Sequence, residues 1–328
     1  MAPSSYTDRV EQERRRYAEQ VEVHDLPPIF HYWTSTHLRP IAEEFGFSSP
    51  DELFVEQLER AYREAPSPPV RFVSLGSGNC DTEIRLARLL FERGLSDFEF
   101  HCLDLNEAML RRGGESARSA GLQEHLKPIR TDLNGWRPDQ AYDGVIANQV
   151  LHHLVELETI FDTVSAAMPA HGRFIASDMI GRNGHRRWPE ALSIVEEFWR
   201  ELPSGYRYNV QLDRAEPSFQ DWDCSLDGFE GARAQDILPA LVERFDFELF
   251  IGFGNVIDPF IDRSFGPHFD PDRQWDRGFI DRVHQRDEEE IRAGNITPTH
   301  MFAVMRKRPF SGAARCRGDL TPSACIRR

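Results

Sequence analysis

The sequence predicts an α/β fold built on a doubly wound, mostly parallel sheet. From Val70 onward, short apolar runs alternate with helical stretches; the first run ends in the glycine turn Gly76-Ser77-Gly78, and the second ends on the carboxylate Asp104. Alternation of this kind specifies parallel strands joined by crossover helices. Such sheets bind ligands outside the carboxyl ends of their strands, where the glycines and the acid fall.

In chain order, Thr7 to Glu22 is rich in Arg, Glu and Gln and reads as an exposed helix stopped by Leu26-Pro27-Pro28. The aromatic, histidine-rich stretch Ile29 to His37 follows. Asp51 to Arg63 is amphipathic, with Ser49 as its cap, Pro50 at its first position and Glu52 completing a capping box. Residues 1–66 are thus expected to form a helical segment, with the Pro-rich run Ala65 to Pro69 as linker. Strands are expected at Val70–Leu75, Phe98–Leu103, His125–Arg130, Tyr142–Ala147 and Arg173–Ser177, and helices at Thr82–Arg93, Glu107–Ser119 and Leu157–Met168.

After Asp178 the rhythm breaks for roughly fifty residues, longer than connections within a compact α/β unit. An insertion is therefore expected at about 181–231, with a helix over Pro189 to Leu202. The pattern resumes with a helix at Ala232–Phe245, a strand at Phe247–Ile251, a loop-rich excursion from Asp258 to Gly294 and a seventh strand at Thr299–Met305. The main domain spans 67–308. The tail 309–328, with its Gly, Ser, Pro and Arg, is expected to be disordered.

Composition excludes several function classes. The chain has 328 residues, 40% hydrophobic and 28% charged, enough apolar content for a packed core. A formal net charge of −15 opposes the phosphate attraction that supplies most nucleic-acid affinity. No apolar run approaches the ~20 residues of a membrane span, and no signal-peptide core is present, so a cytoplasmic protein is expected. The five scattered cysteines suit a reducing compartment, and no metal-ligand spacing appears among them, so no metal is expected.

Four stretches then occur in a telling order: Val73-Ser74-Leu75-Gly76-Ser77-Gly78-Asn79, Asp104 at the end of the second strand, Thr131-Asp132-Leu133 after the third, and Tyr142 to Leu154 at the fourth. With them the chain resembles the class I methyltransferases, Rossmann-like enzymes that use S-adenosylmethionine. The resemblance implies a seven-stranded sheet with a final antiparallel strand. It also implies that Gly76, Ser77 and Gly78 line the methionine part of the cofactor, that Asp104 with Leu105 holds the ribose, that Asp132 bonds the adenine amino group with Leu133 on the ring, and that Asn148 lies beside the methionine. The family pattern has an acid where Ser74 stands and commonly a glycine where Cys80 stands. Asp81 or Glu83 could supply the missing charge, or could simply favour the positive end of a helix.

Acceptor recognition is expected from two regions. Tyr32, Trp33 and His37 precede the first strand, where aromatic faces could stack on an acceptor or attract a sulfonium. His185, Arg187 and Trp188 open the insertion, which reads as a lid over a small-molecule acceptor or as the interface of a homodimer. His152 and His153 are candidate bases for an oxygen acceptor, and each has packing as its alternative role. A nicotinamide-dependent oxidoreductase would share the first glycine turn and the second-strand acid, but Asp81 stands where its third glycine belongs. A methyltransferase-like binding module without catalysis is the remaining alternative.

Overall fold

The structure, a computed structural model, describes Glu11 and residues 25–327. Apart from Glu11, the expected helix over Thr7 to Glu22 lies outside the described residues. Among those described, no helix is long and apolar enough to cross a membrane.

Eight strands form one sheet in the order β10-β8-β9-β5-β4-β1-β2-β3. β1 (Val70–Leu75), β2 (Phe98–Asp104), β3 (Leu126–Arg130), β4 (Gly144–Asn148) and β5 (Arg173–Met179) run parallel. The chain steps outward from β1 to β3, then returns to β4 on the other side of β1. This reversal opens a crevice at the carboxyl ends of β1 and β4. β9 (His300–Lys307) inserts antiparallel between β5 and β8 (Phe245–Phe253).

Both faces of the sheet are covered, and strand residues alternate between two cores. Phe72, Ile146 and Ile175 face one core, while Val73, Leu75, Val145, Ala147, Phe174 and Ala176 face the other. The first core receives the N-terminal helices α1 (Pro28–Trp33), α2 (Arg39–Glu43) and α3 (Pro50–Glu64), with a π-helical turn at Thr34–Leu38 between the first two. In α3 the expected cap is present: the Glu52 amide donates to Ser49 Oγ at 3.2 Å, and Glu52 Oε2 accepts from the Ser48 amide at 2.7 Å. Leu58 of this helix presses so closely on β4 that a Cβ on Gly144 would lie 2.6 Å from its Cδ2. α3 is also clamped to β5, because Arg173, buried at 3% exposure, makes a two-pronged pair with Glu64 at 2.7 and 3.0 Å.

The remaining helices are α4 (Asp81–Glu92), α5 (Glu107–Ser119), α6 (Leu157–Ala167), α7 (Pro189–Glu201), α8 (Ala234–Arg244), α9 (Asp258–Ile261) and α10 (Gln274–Arg292). Two expectations need correction. The excursion from Asp258 to Gly294 is not loop-rich: it holds the nineteen-residue α10, whose buried Phe279, Ile280, Val283 and Ile291 recur at helical spacing within a highly charged sequence. The tail is not disordered either. Arg315–Cys316 forms β10, pairs parallel with Leu249 and Phe250 of β8, and makes the sheet eight-stranded rather than seven. Cys325 is buried and Arg327 lies over Trp188, so the tail has the packing that its composition hides.

Candidate functional site

The carboxyl ends of β1, β2, β4 and β5 bring the site together. After β1 the chain turns at Gly76 (φ +65°) and Gly78 (φ +53°), then enters α4 through Cys80, itself left-handed at φ +60°. A Cβ at Gly76 would lie 2.3 Å from Val150 Cγ2, so only glycine lets this loop pass the segment after β4. α5 approaches from the other side, where Gly113 leaves room for Cys80 Sγ and Arg112 Nε donates to Asn79 Oδ1 at 3.0 Å.

Asp104 organises this loop. Its Oδ2 accepts from the Gly78 amide at 2.8 Å and its Oδ1 from the Asn106 amide at 2.7 Å, tying the ends of β1 and β2 together. A carboxylate offers about four lone-pair sites, the kind of acceptor that recognition of vicinal hydroxyls requires. Leu105 follows in the turn to α5. Asp132 follows β3 and caps the short turn Leu133–Gly135 by accepting from the Asn134 amide at 3.0 Å. Leu133 is buried in the second core. Asn148 closes β4 opposite Ser177 of β5.

Ser74 has an acidic partner on α4. Ser74 Oγ donates to Glu83 Oε1 at 2.5 Å, beneath the glycine loop. Burial pushes the Glu83 carboxyl up to about 7 against the opposing Ser74 hydrogen bond. Glu83 is therefore more than a helix-end charge: it is the buried hydrogen-bond partner of Ser74 at the end of β1.

A second centre lies at the ends of β4 and β5. His152 and His153 occupy the short turn Leu151–His153. Asp178, 1% exposed in β5, fixes that turn: its Oδ2 accepts from the Val150 and Leu151 amides at 2.8 and 2.7 Å, and its Oδ1 takes the Met179 amide at 2.8 Å and pairs with His152 Nδ1 at 2.7 Å. Glu230, from the end of the insertion, receives the other ends of the imidazoles. Its Oε1 lies 2.8 Å from His185 Nε2 and 3.4 Å from His152 Nε2, and its Oε2 lies 3.6 Å from His153 Nε2. Burial works against charge on His152, yet Asp178 and Glu230 together push its pKa up to about 10. Burial pushes His185 down despite Glu230. The Glu230 carboxyl, although buried, is held well below the usual range by the three histidines.

The other expected residues go elsewhere. Tyr32 Oη donates to Asp281 Oδ1 at 3.0 Å, His37 Nε2 lies 2.8 Å from the same oxygen, and Trp33 Nε1 donates to His284 Nδ1 at 3.3 Å; all three dock the N-terminal helices on α10. Arg187 spends its guanidinium on Asp258 Oδ2 at 3.0 Å and the His185 carbonyl at 3.0 Å, anchoring the root of the insertion. Trp188 faces the guanidiniums of Arg182 and Arg327. Asp178 and Glu230 were missed in the sequence, because each is a single acid without a motif and matters only once three separated segments meet.

Comparison with known proteins follows the same lines. Residues 73–174 match the family model described as a methyltransferase domain. No curated protein sequence matches the chain. Among solved structures, the geranyl diphosphate C-methyltransferase of Streptomyces coelicolor A3(2), in complex with Mg2+, geranyl diphosphate and S-adenosyl-L-homocysteine, superposes with a TM-score of 0.50 at 13% identity, covering 93% of this chain and all of that one. An O-methyltransferase from a trans-AT polyketide synthase multienzyme of Brevibacillus brevis, also bound to S-adenosyl-L-homocysteine, gives 0.47 at 13% identity, covering 88% and 85%.

Proposed function

We propose that this chain, whose residues 73–174 match a methyltransferase domain, is a class I, S-adenosylmethionine-dependent methyltransferase, and that it methylates an oxygen of a small or medium-sized acceptor seated beside the His152-His153-His185-Glu230 cluster. The cluster carries this reading. A nitrogen acceptor needs only to be neutral when it attacks, whereas a hydroxyl must lose a proton, and titratable groups at the reaction face serve that need. Likeness to a solved structure at 13% identity concerns the fold and not the acceptor atom.

S-adenosylmethionine supplies a methyl group already activated on a sulfonium, so the protein's task is alignment. Gly76 to Gly78 let the methionine part lie against the backbone, Asp104 holds the ribose hydroxyls, Asp132 accepts from the adenine amino group, and Asn148 borders the reacting end. His185, kept neutral by burial and oriented by Glu230, is the better proton acceptor. His152 is held charged between two carboxylates and positions the cluster instead. The insertion closes over this face as a lid, since it contributes both His185 and Glu230. The same segment exposes Tyr208, Val210, Leu212, Trp222 and Leu226, which favours self-association through the hairpin of β6 (Tyr208–Asn209) and β7 (Arg214–Ala215) as a second role. Sedimentation of the wild type against a Leu212→Asp, Leu226→Asp variant tests that role, and an unchanged mass would exclude it.

Calorimetric titration with S-adenosylmethionine, S-adenosylhomocysteine and NAD tests the main reading. Binding of the two adenosyl ligands and not NAD is expected, and a hydroxyl acceptor should then turn over with a rate that falls in His185→Ala. Turnover restricted to amines would overturn the oxygen assignment.

A further inference from the structure

The arrangement of Glu230 asks more than a proton-accepting role explains. Three imidazole Nε2 atoms, from two segments of the chain, converge on the carboxylate of a third. Asp178 and Glu230 together supply two carboxylates for three imidazoles, and the cluster holds more nitrogen donors than charge pairing requires. Metal coordination makes use of all of them.

The geometry fits an ion. Donor atoms of His152, His185 and Glu230 all lie within 4.8 Å of one another. Two ligands at right angles on an ion with bonds of about 2.1 Å are roughly 3 Å apart; the two nitrogens stand 2.8 and 3.4 Å from Glu230 Oε1. The supporting shell is also in place. His152 Nδ1 bonds the buried Asp178 carboxylate at 2.7 Å, the carboxylate–histidine pairing that fixes the tautomer and turns Nε2 outward as a ligand. His185 is held at φ +56°, a left-handed conformation costly for a side chain with a Cβ, and it follows Gly184 at +69°. The fold thus sets this imidazole against its backbone preference. Strain of this kind gathers where a side chain must be aimed.

We propose that His152, His185 and Glu230 form a two-histidine, one-carboxylate site for a divalent transition-metal ion of the Fe2+, Mn2+ or Zn2+ class, with His153 in reach of a further position. Three protein ligands leave coordination positions open. On the methyltransferase reading, an ion held there would displace the protons from His152 and His185 Nε2 and would supply Lewis acidity for an acceptor hydroxyl, whose proton would pass to solvent; His185 would then serve as a ligand in place of the proton-accepting role. The second group of metal-type side chains, Cys80, Glu83 and Cys102, is fully buried beneath the glycine loop, and burial keeps the Cys102 thiol protonated. It serves as the internal control.

The full-length protein, stripped with a chelator, is titrated with Co2+ while visible absorption and heat are recorded. One equivalent should bind with micromolar or tighter affinity. His185→Ala and Glu230→Gln should each weaken binding at least a hundredfold, and Asp178→Asn by 10- to 100-fold, roughly the effect of losing a supporting partner. Glu83→Gln and Cys102→Ser should leave it unchanged. Absent stoichiometric binding, binding indifferent to His185 and Glu230, or sulfur-to-cobalt absorption lost in Cys102→Ser would each overturn the proposal. S-adenosylhomocysteine titration of every variant separates the two readings. Wild type that binds the nucleoside but not Co2+ sinks the metal site alone, and wild type that binds Co2+ but not the nucleoside sinks the methyltransferase reading alone. If His185→Ala loses nucleoside binding through misfolding, Glu230→Gln, which keeps the side-chain shape, decides the matter.

Discussion

Replacing Gly76 by alanine tests how the cofactor loop is built. The new Cβ would lie 2.3 Å from Val150 Cγ2 and 2.9 Å from Val150 Cβ. Val150 cannot retreat, because its amide is held by the buried Asp178 carboxylate at 2.8 Å. A left-handed alanine costs about 1 kcal/mol, and inserting a methyl into a filled space adds about 1–3 kcal/mol. The sum is about 2–4 kcal/mol, or roughly 30- to 1000-fold if all of it falls on ligand affinity. Denaturant unfolding and calorimetric titration with S-adenosylhomocysteine would show how the cost divides between fold and site. Val150→Ala removes the Cγ atoms that the new methyl meets, so the double variant should recover about 1–2 kcal/mol relative to the sum of the single changes. The left-handed term should remain. Strictly additive single and double variants would refute the argument, because the closest contact would then have no energetic meaning.

Asp104→Asn exchanges an acceptor of two backbone amides for a group with one oxygen, so one amide faces an amine; a loss of about 1–3 kcal/mol in stability is expected, with a larger fractional loss of nucleoside affinity by calorimetry than in Asp132→Asn. Glu83 binds a proton more tightly in the folded state, about 7 against 4.5, so its contribution falls as pH rises between those values and its penalty is complete above pH 7. At 1.36 kcal/mol per unit the span of 2.5 units is worth about 3 kcal/mol; Glu83→Gln, still able to accept from Ser74, should gain on the wild type by up to that amount between pH 4.5 and 8 in urea unfolding, and parallel pH profiles would contradict it. Arg173→Ala removes one of the two buried guanidiniums that face Glu64 and Glu248, leaving Arg306 as the other. Glu64 is partly solvated, so the expected loss is about 2–3 kcal/mol rather than the larger cost of a fully buried pair, read as a lower denaturation midpoint at unchanged slope.

Legibility in the sequence followed the range of the forces involved. β1 and α5 stand at their expected ends, since periodicity and the terminating Gly76 and Ser119 are local signals. The glycine loop and Asp104 were readable for the same reason, as each ends a strand. α10 was hidden because its apolar stripe is diluted by the acidic run Asp287 to Glu290, and the fold buries Asp287 beneath the Asn255, Val256 and Ile257 amides. No local pattern announces a helix partner of that kind. The histidine cluster lay further out of reach. His152 and His185 were each visible as titratable residues, but their meeting at Glu230 depends on how an insertion of about fifty residues folds back, and the seven-residue approach from Cys224 to Glu230 carries no periodic signal. Tyr32, Trp33 and His37 were visible as ligand-type residues, but their bonds to Asp281 and His284 of α10 are long-range contacts that no local pattern announces.

The two-residue strand β10 bears on how the chain avoids its own kind. It pairs at Leu249 and Phe250, the middle of the outer margin of nine-residue, phenylalanine-rich β8, whose other side is taken by β9. A sheet margin of that length is a template for fibrous growth. The tail interrupts it with a strand too short to propagate, which begins at Arg315 and is followed by Arg317, paired with Glu288. During synthesis, however, β8 leaves the ribosome some sixty residues before its cover does. For those seconds, at about 5–20 residues per second, the nascent protein is at its most aggregation-prone, and deletion of residues 309–328 would make that interval permanent.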